Sequence, residues 1–224
     1  MTGKSSPRDF IFTTLLKDCS GVFASVIARL ANLSFVEGSF RIQFKTAQVT
    51  SIVKKAVVTL PNSASDRPIS NLNTISKVLE QLFLARLIPD VSPSICPLQS
   101  AYRQFHSTET ALLKIVSHMF EAVDSGCVTV LVALNLSAAF DIIDRQVLVQ
   151  RLEHTFGVKG PAFDWMKSYL ERRSCFVKGG NAMSTTFRSG ISVPQGSVPG
   201  PLLFSLFRTP PVDIISRFGV KFHQ

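Results

Sequence analysis

The chain has 224 residues, 46% of them hydrophobic and 17% charged, with 24 Lys and Arg against 15 Asp and Glu for a net charge of +9. That length suits a domain with a real core, and so few charges exclude a disordered polyelectrolyte. The basic excess is spread, with 13 basic and 7 acidic side chains up to residue 114 and 11 and 8 after it. It therefore marks a basic folded surface suited to a polyanion, usually nucleic acid, and not a basic tail.

Cys19, Cys96, Cys127 and Cys175 are far apart and form no metal-ligand spacing. They are expected as reduced thiols in an intracellular protein. Lys4, Arg8, Asp9, Lys17 and Asp18 interrupt the N-terminal segment, which is not expected to act as a signal peptide. No apolar run approaches the roughly 20 residues of a spanning helix, so no membrane partner is expected.

In chain order, apolar residues from Phe10 through Leu15, Leu16, Val22, Phe23, Val26, Ile27 and Leu30 predict a helix over 9–34. Val49, Ile52, Val53, Val57 and Val58 predict extended chain over 47–60, followed by a loop from Pro61 to Asp66. A helix is expected from Thr74 to Leu87, closed by Pro89. Ser107 should cap the next helix, whose buried face is Leu112, Ile115, Val116, Met119 and Val123, with Gly126 ending it. The run Val128 to Leu136 is almost wholly apolar and predicts a strand covered on both faces. Asp144 should cap a helix through Leu152, and Pro161 should start another through Leu170. A hairpin around Gly179-Gly180-Asn181 spans 175–193. The turn Pro194 to Gly200 then leads into a helix, Leu202 to Phe207, stopped by Pro210 and Pro211. Strands and helices mix irregularly, which predicts an α+β domain.

Four segments stand out by composition and order. They are Arg67-Pro68-Ile69-Ser70-Asn71-Leu72, then Gln99-Ser100-Ala101-Tyr102-Arg103 running into His106 to Ala111, then Leu134 to Asp141, then Val193 to Pro201. The last is a tight turn whose glycines let backbone approach a flat ligand, and Gln195 offers both a donor and an acceptor. The third sets polar side chains at the end of an apolar run. Taken singly, Arg67 and Arg103 read as surface ion pairs and Gln195 as a turn residue. Together they point no further than a basic α+β domain with a candidate nucleotide site.

In this order and spacing the four segments resemble the reverse transcriptase domain of non-LTR (LINE-type) retrotransposons. The resemblance runs along nearly the whole chain, and Leu136 to Asp141 and Val193 to Pro201 are its most specific parts. It implies a partial fingers–palm fold, with residues 1–44 a helical N-terminal extension and 45–224 the reverse transcriptase-like domain. The family's polymerase uses two divalent ions, normally magnesium, which need anionic oxygen ligands. By resemblance the first of its metal-binding aspartates falls on Asn135, a neutral amide. Its Tyr-Ala-Asp-Asp hairpin would begin after Phe222-His223, so the resemblance implies a chain truncated before the hairpin and the thumb, without metal cofactor and without catalysis.

Phe140 matches the bulky residue that acts as a gate against a ribose 2′-hydroxyl; an ordinary core phenylalanine is the rival reading. Gln195 and Gly196 match the turn that packs on the incoming nucleotide and template. Arg67 resembles a fingers residue near the triphosphate, and Arg103 one near template or nucleotide. Asp141 reads as a turn or capping carboxylate. Asp66, Ser192 and Pro199 depart from the family's usual Tyr, Gly and apolar residue, and Pro210-Pro211 break a helix the family continues. The implied function is a degenerate fragment of an RNA-directed DNA polymerase. The alternative is a non-enzymatic basic module that binds RNA or DNA weakly and without sequence preference, with Arg67, Arg103, Lys54 and Lys55 as contacts. In either case the chain is expected to be marginally stable, and to aggregate or need a partner.

Overall fold

The computed structural model describes residues 6, 8–53, 66–134, 140–190, 192–209 and 214–223, with backbone alone at 52, 53, 66 and 67. Within them the chain is α+β. In order it forms α1 (Thr13–Asp18), α2 (Ser20–Val36), β1 (Thr46–Val53), β2 (Asp66–Asn71), α3 (Thr74–Val91), α4 (Thr108–Asp124), α5 (Arg145–His154), α6 (Gly160–Leu170), β3 (Ser174–Gly179), β4 (Ala182–Met183), β5 (Phe187–Arg188) and α7 (Gly200–Arg208).

The strands make one sheet in the order β2-β1-β3-β4, with β5 also paired to β3. β1 and β2 are antiparallel with Gln48 opposite Asn71 and Ile52 opposite Arg67. β1 and β3 run parallel with Thr46 opposite Ser174, and β3 pairs antiparallel with β4 and with β5. The parallel pair brings residue 46 beside residue 174, and the long crossover between them carries α3 to α6.

The core gathers α2, α3, α5, α6 and α7 around Trp165. Its ring stacks on Phe83 at 3.8 Å between centroids and meets Phe35 and Phe40 edge-on. Such arrangements suit the ring quadrupole, and the buried indole N–H finds an acceptor in Ser34 Oγ at 2.9 Å. The segment before α1 is tied into the same body. Asp9 accepts from the Thr74 amide and hydroxyl, both at 2.6 Å, at the start of α3. Asn73 caps α3 by accepting from the Ile75 amide.

Several sequence expectations fail in this fold. The helix predicted over 9–34 breaks at Cys19 into α1 and α2, and Phe10, Val22 and Val26 lie exposed. α3 continues through Pro89 to Val91, because in a last turn the ring forfeits one intrahelical bond and no following turn depends on it. α4 forms with the predicted Ser107 cap, yet none of its residues is buried. The run from Val128 to Leu134 is not a strand, and Val128 is 94% and Leu134 85% exposed. No described strand lies beside it, and β propensity without a neighbour to pack against does not make a strand. Pro211 and the rest of that apolar run, residues 135–139, fall outside the described residues.

Candidate functional site

The turn from Val193 to Gly200 is held from three sides. The Ser70 amide on β2 donates to the Gln195 carbonyl at 2.7 Å. The Ser192 and Val193 amides donate to the carbonyls of Ile143 and Phe140 at 3.0 and 3.4 Å. From α3, Glu80 Oε2 accepts from the Val198 amide at 2.9 Å. Gly196 has φ +103°, and a Cβ there would stand 2.9 Å from the Ser70 carbonyl oxygen. Glycine is therefore required both for the backbone angle and for the approach of β2. Pro199 takes the N-cap of α7, where its missing N–H costs no helical bond.

The turn brings together residues distant in sequence. Gln195 Nε2 donates to both oxygens of Asp141, at 3.3 and 3.4 Å, long contacts. Phe140 is half-buried, 5.3 Å from the Phe204 ring and 6.4 Å from Tyr102. Through Tyr102 the loop that carries Arg103 reaches the same place. Arg103 itself donates from Nη1 to the Cys96 carbonyl at 3.3 Å. Arg67 lies on β2 opposite Ile52, three residues before Ser70, and its side chain is outside the description. Asn135, Lys54 and Lys55 are also outside it.

A pocket of about 290 Å³ opens beside the turn, between it and the sheet, lined among others by Pro68, Ser70, Asp141, Arg145, Arg173 and Gln195. Sequence reasoning passed over Arg145, Arg173 and Glu80. Arg145 Nε donates to the Ser192 carbonyl at 2.8 Å and Nη2 to Ser189 Oγ at 3.0 Å. Burial, with Arg173 nearby, pushes its guanidinium down to about 10. Arg173 is buried against the Tyr169 ring at 4.6 Å, with Nη1 on the Tyr169 carbonyl and Nε and Nη2 without a hydrogen-bond partner among the described residues. Burial raises the Glu80 carboxyl above its usual range, opposed by the Val198 amide, the positive field of Arg173 and the Ser76 hydroxyl. Lys45 donates from Nζ to the Ser168 carbonyl, and burial, aided by Arg173, pushes it down to about 8. Glu80 had a legible signal, since it falls on the apolar stripe of α3 with Leu79, Phe83 and Leu87. The arginines had none.

The described carboxylates do not fit a hard divalent cation. Among the described residues no group of three or more His, Cys, Asp or Glu side chains is placed to hold a metal. Asp141 accepts from Gln195, and Asp144 caps α5 through the Gln146 and Val147 amides. The arrangement is thus a glycine turn and a polar amide pressed against a strand, beside a pocket with two arginines.

Comparison with known proteins agrees with the resemblance read from the sequence. Residues 52–223 match the family model described as reverse transcriptase (RNA-dependent DNA polymerase). The chain is 36% identical over 159 residues to a probable RNA-directed DNA polymerase from transposon X-element of Drosophila melanogaster, covering 70% of this chain and 17% of the relative. It is 35% identical over 145 residues to the corresponding probable enzyme from transposon BS of the same species, covering 64% and 16%. It is 30% identical over 183 residues to the RNA-directed DNA polymerase from mobile element jockey, covering 81% and 20%. The chain thus spans a fifth or less of the length of these relatives. With four motif segments in family order and a family match over most of its residues, the chain belongs to the reverse transcriptase family, alongside the enzymes of LINE-type retrotransposons.

Proposed function

We propose that this chain is a fingers–palm portion of an RNA-directed DNA polymerase of a non-LTR retrotransposon and that it does not polymerise DNA itself. The turn around Gln195 and Gly196, pressed on β2, supports the fingers–palm reading. The observation that carries inactivity is Asn135. A two-metal mechanism needs carboxylate charge at that position, and an amide carbonyl brings none. Asp141 and Asp144, the nearest carboxylates on the C-terminal side, are engaged with Gln195 and with the α5 cap. The test is primer extension on RNA and DNA templates with magnesium and with manganese. No incorporation above a heat-inactivated control is expected, and template-dependent incorporation overturns the reading.

A second reading, a non-enzymatic module that binds RNA or DNA, is favoured by the net charge of +9. Phosphate contacts release counterions, so affinity should fall steeply with salt and sit on the order of 10⁻⁴ to 10⁻⁶ M at physiological ionic strength, with no sequence preference. A filter-binding titration at several salt concentrations decides it. Affinity independent of salt, or no binding at low salt, removes this reading. The exposed apolar side chains of α4 and of Val128 to Leu134 support the further reading that the isolated chain aggregates.

A further inference from the structure

Glu80 sits where an apolar residue would be expected. It lies on the stripe of α3 that also buries Leu79, Phe83, Leu84, Leu87 and Val91, and it is wholly inaccessible to solvent. A carboxylate there loses its water, and a leucine would fill the same space without that penalty. Both oxygens are committed. Oε1 accepts from Ser76 Oγ at 2.9 Å on the same helix, and Oε2 accepts from the Val198 amide at 2.9 Å across the fold. Arg173 supplies the compensating positive field from the connection between α6 and β3, without forming an ion pair with it. The Ser76 bond is local to α3. The bond to Val198 is the one that reaches another element, and that element is the turn carrying Gln195 and Gly196.

The turn needs such a hold on its far side. Its near side is fixed by the Ser70 amide on the Gln195 carbonyl, and the Ser197 amide closes it onto the Pro194 carbonyl at 3.0 Å. Pro199 follows Val198 and has no N–H to offer. The Val198 amide is therefore the point by which α3 grips the turn through a backbone hydrogen bond. We propose that Glu80 is a positioning residue, gripping the turn at Val198 so that Gln195 and Gly196 are held against β2 and the Gln195 side chain is held at Asp141. This assignment rests on the reading of that turn as the element facing nucleotide and template.

The test uses the full chain, isotopically labelled, with the Gln195 side-chain amide resonance and the exchange of the Val198 amide as readouts. Glu80→Asp withdraws the carboxylate by one methylene and keeps the charge. It should shift the Gln195 resonance and speed Val198 exchange by about tenfold or more. Glu80→Leu should do the same, and if it does not fold, Glu80→Asp carries the test alone. Glu80→Gln presents an acceptor oxygen of the same reach and should keep both signals close to wild type. Leu84→Ala, a core truncation on the same helix, should lower the melting temperature and leave the Gln195 resonance in place. The proposal is overturned if Glu80→Asp leaves that resonance unmoved, or if Leu84→Ala moves it equally. RNA and DNA affinity of the same variants with Gln195→Ala forms a separate arm. Equal, non-additive losses in Glu80→Asp and Gln195→Ala support a role in binding, and additive losses overturn it. Absence of binding by the wild type would count against the reading of the turn and leave the resonance test of Glu80 standing.

Discussion

Ser192 has φ +74°, the left-handed region that glycine enters without cost and a serine does not. The family resemblance places a glycine at this position, so the departure read from sequence coincides with a strained backbone. The strain is held in place by neighbours. The Ser192 amide donates to the Ile143 carbonyl, and its carbonyl accepts from Arg145. Ser192→Gly should therefore stabilise the fold by about 1 kcal/mol, the lower end of the cost of a left-handed non-glycine residue. Urea denaturation measures it as a higher midpoint with an unchanged slope. A midpoint that falls would show that the serine hydroxyl earns its place. The same scale explains what stayed hidden around the turn. That Gln195 and Gly196 lie in a tight turn was legible, because proline and glycine mark the segment from Pro194 to Gly200. Arg145 and Arg173 were not, because a guanidinium that bonds backbone carbonyls far along the chain has no local pattern.

Caps and short connections carried the legible part of the elements. α5 starts after Asp144 and α6 contains Pro161 at its first turn, both as the sequence predicts. The sheet was read only in pieces, since the parallel pairing of β1 with β3 joins segments more than a hundred residues apart. α4 separates two questions that periodicity merges. The spacing of Leu112, Ile115, Val116, Met119 and Val123 identifies an apolar face, but it does not say that anything covers it: Ile115 and Met119 are half-buried, and Leu112, Val116 and Val123 are exposed. A paired substitution makes the difference measurable. Asp144 caps α5, which buries Leu148 and Leu152, and Asp144→Ala should cost about 1 kcal/mol of global stability. Ser107 caps α4 through the Thr110 amide at 3.2 Å, in a reciprocal box with the Thr110 hydroxyl. Because no residue of α4 is fully buried, Ser107→Ala should speed amide exchange within α4 and leave the global denaturation midpoint in place. A global loss from Ser107→Ala as large as that from Asp144→Ala would mean that α4 is packed in solution.

At the scale of the whole molecule, the core is drawn from both ends of the chain, and no described residue between 100 and 139 joins it. Phe35 and Phe83 come from before residue 100, and Trp165, Tyr169 and Leu203 from after residue 140, in one cluster. Between them, Phe105 is 92% exposed and the irregular run from Val128 to Leu134 lies open to solvent. Covalent continuity through that run is therefore not what keeps the two halves together. Between the two halves, a brief digestion with a protease that cuts after leucine and phenylalanine should nick the chain at Phe105, Leu131 or Leu134. The two pieces should then behave as a non-covalent heterodimer folded around a shared aromatic cluster. Trp165 is the chain's one tryptophan, and it reports on that cluster. Its emission should stay that of a buried indole after the cut, while a denaturing gel shows two bands. A red shift that accompanies cleavage would mean that the connecting segment holds the halves together; without one, the two pieces remain one folded body after the cut.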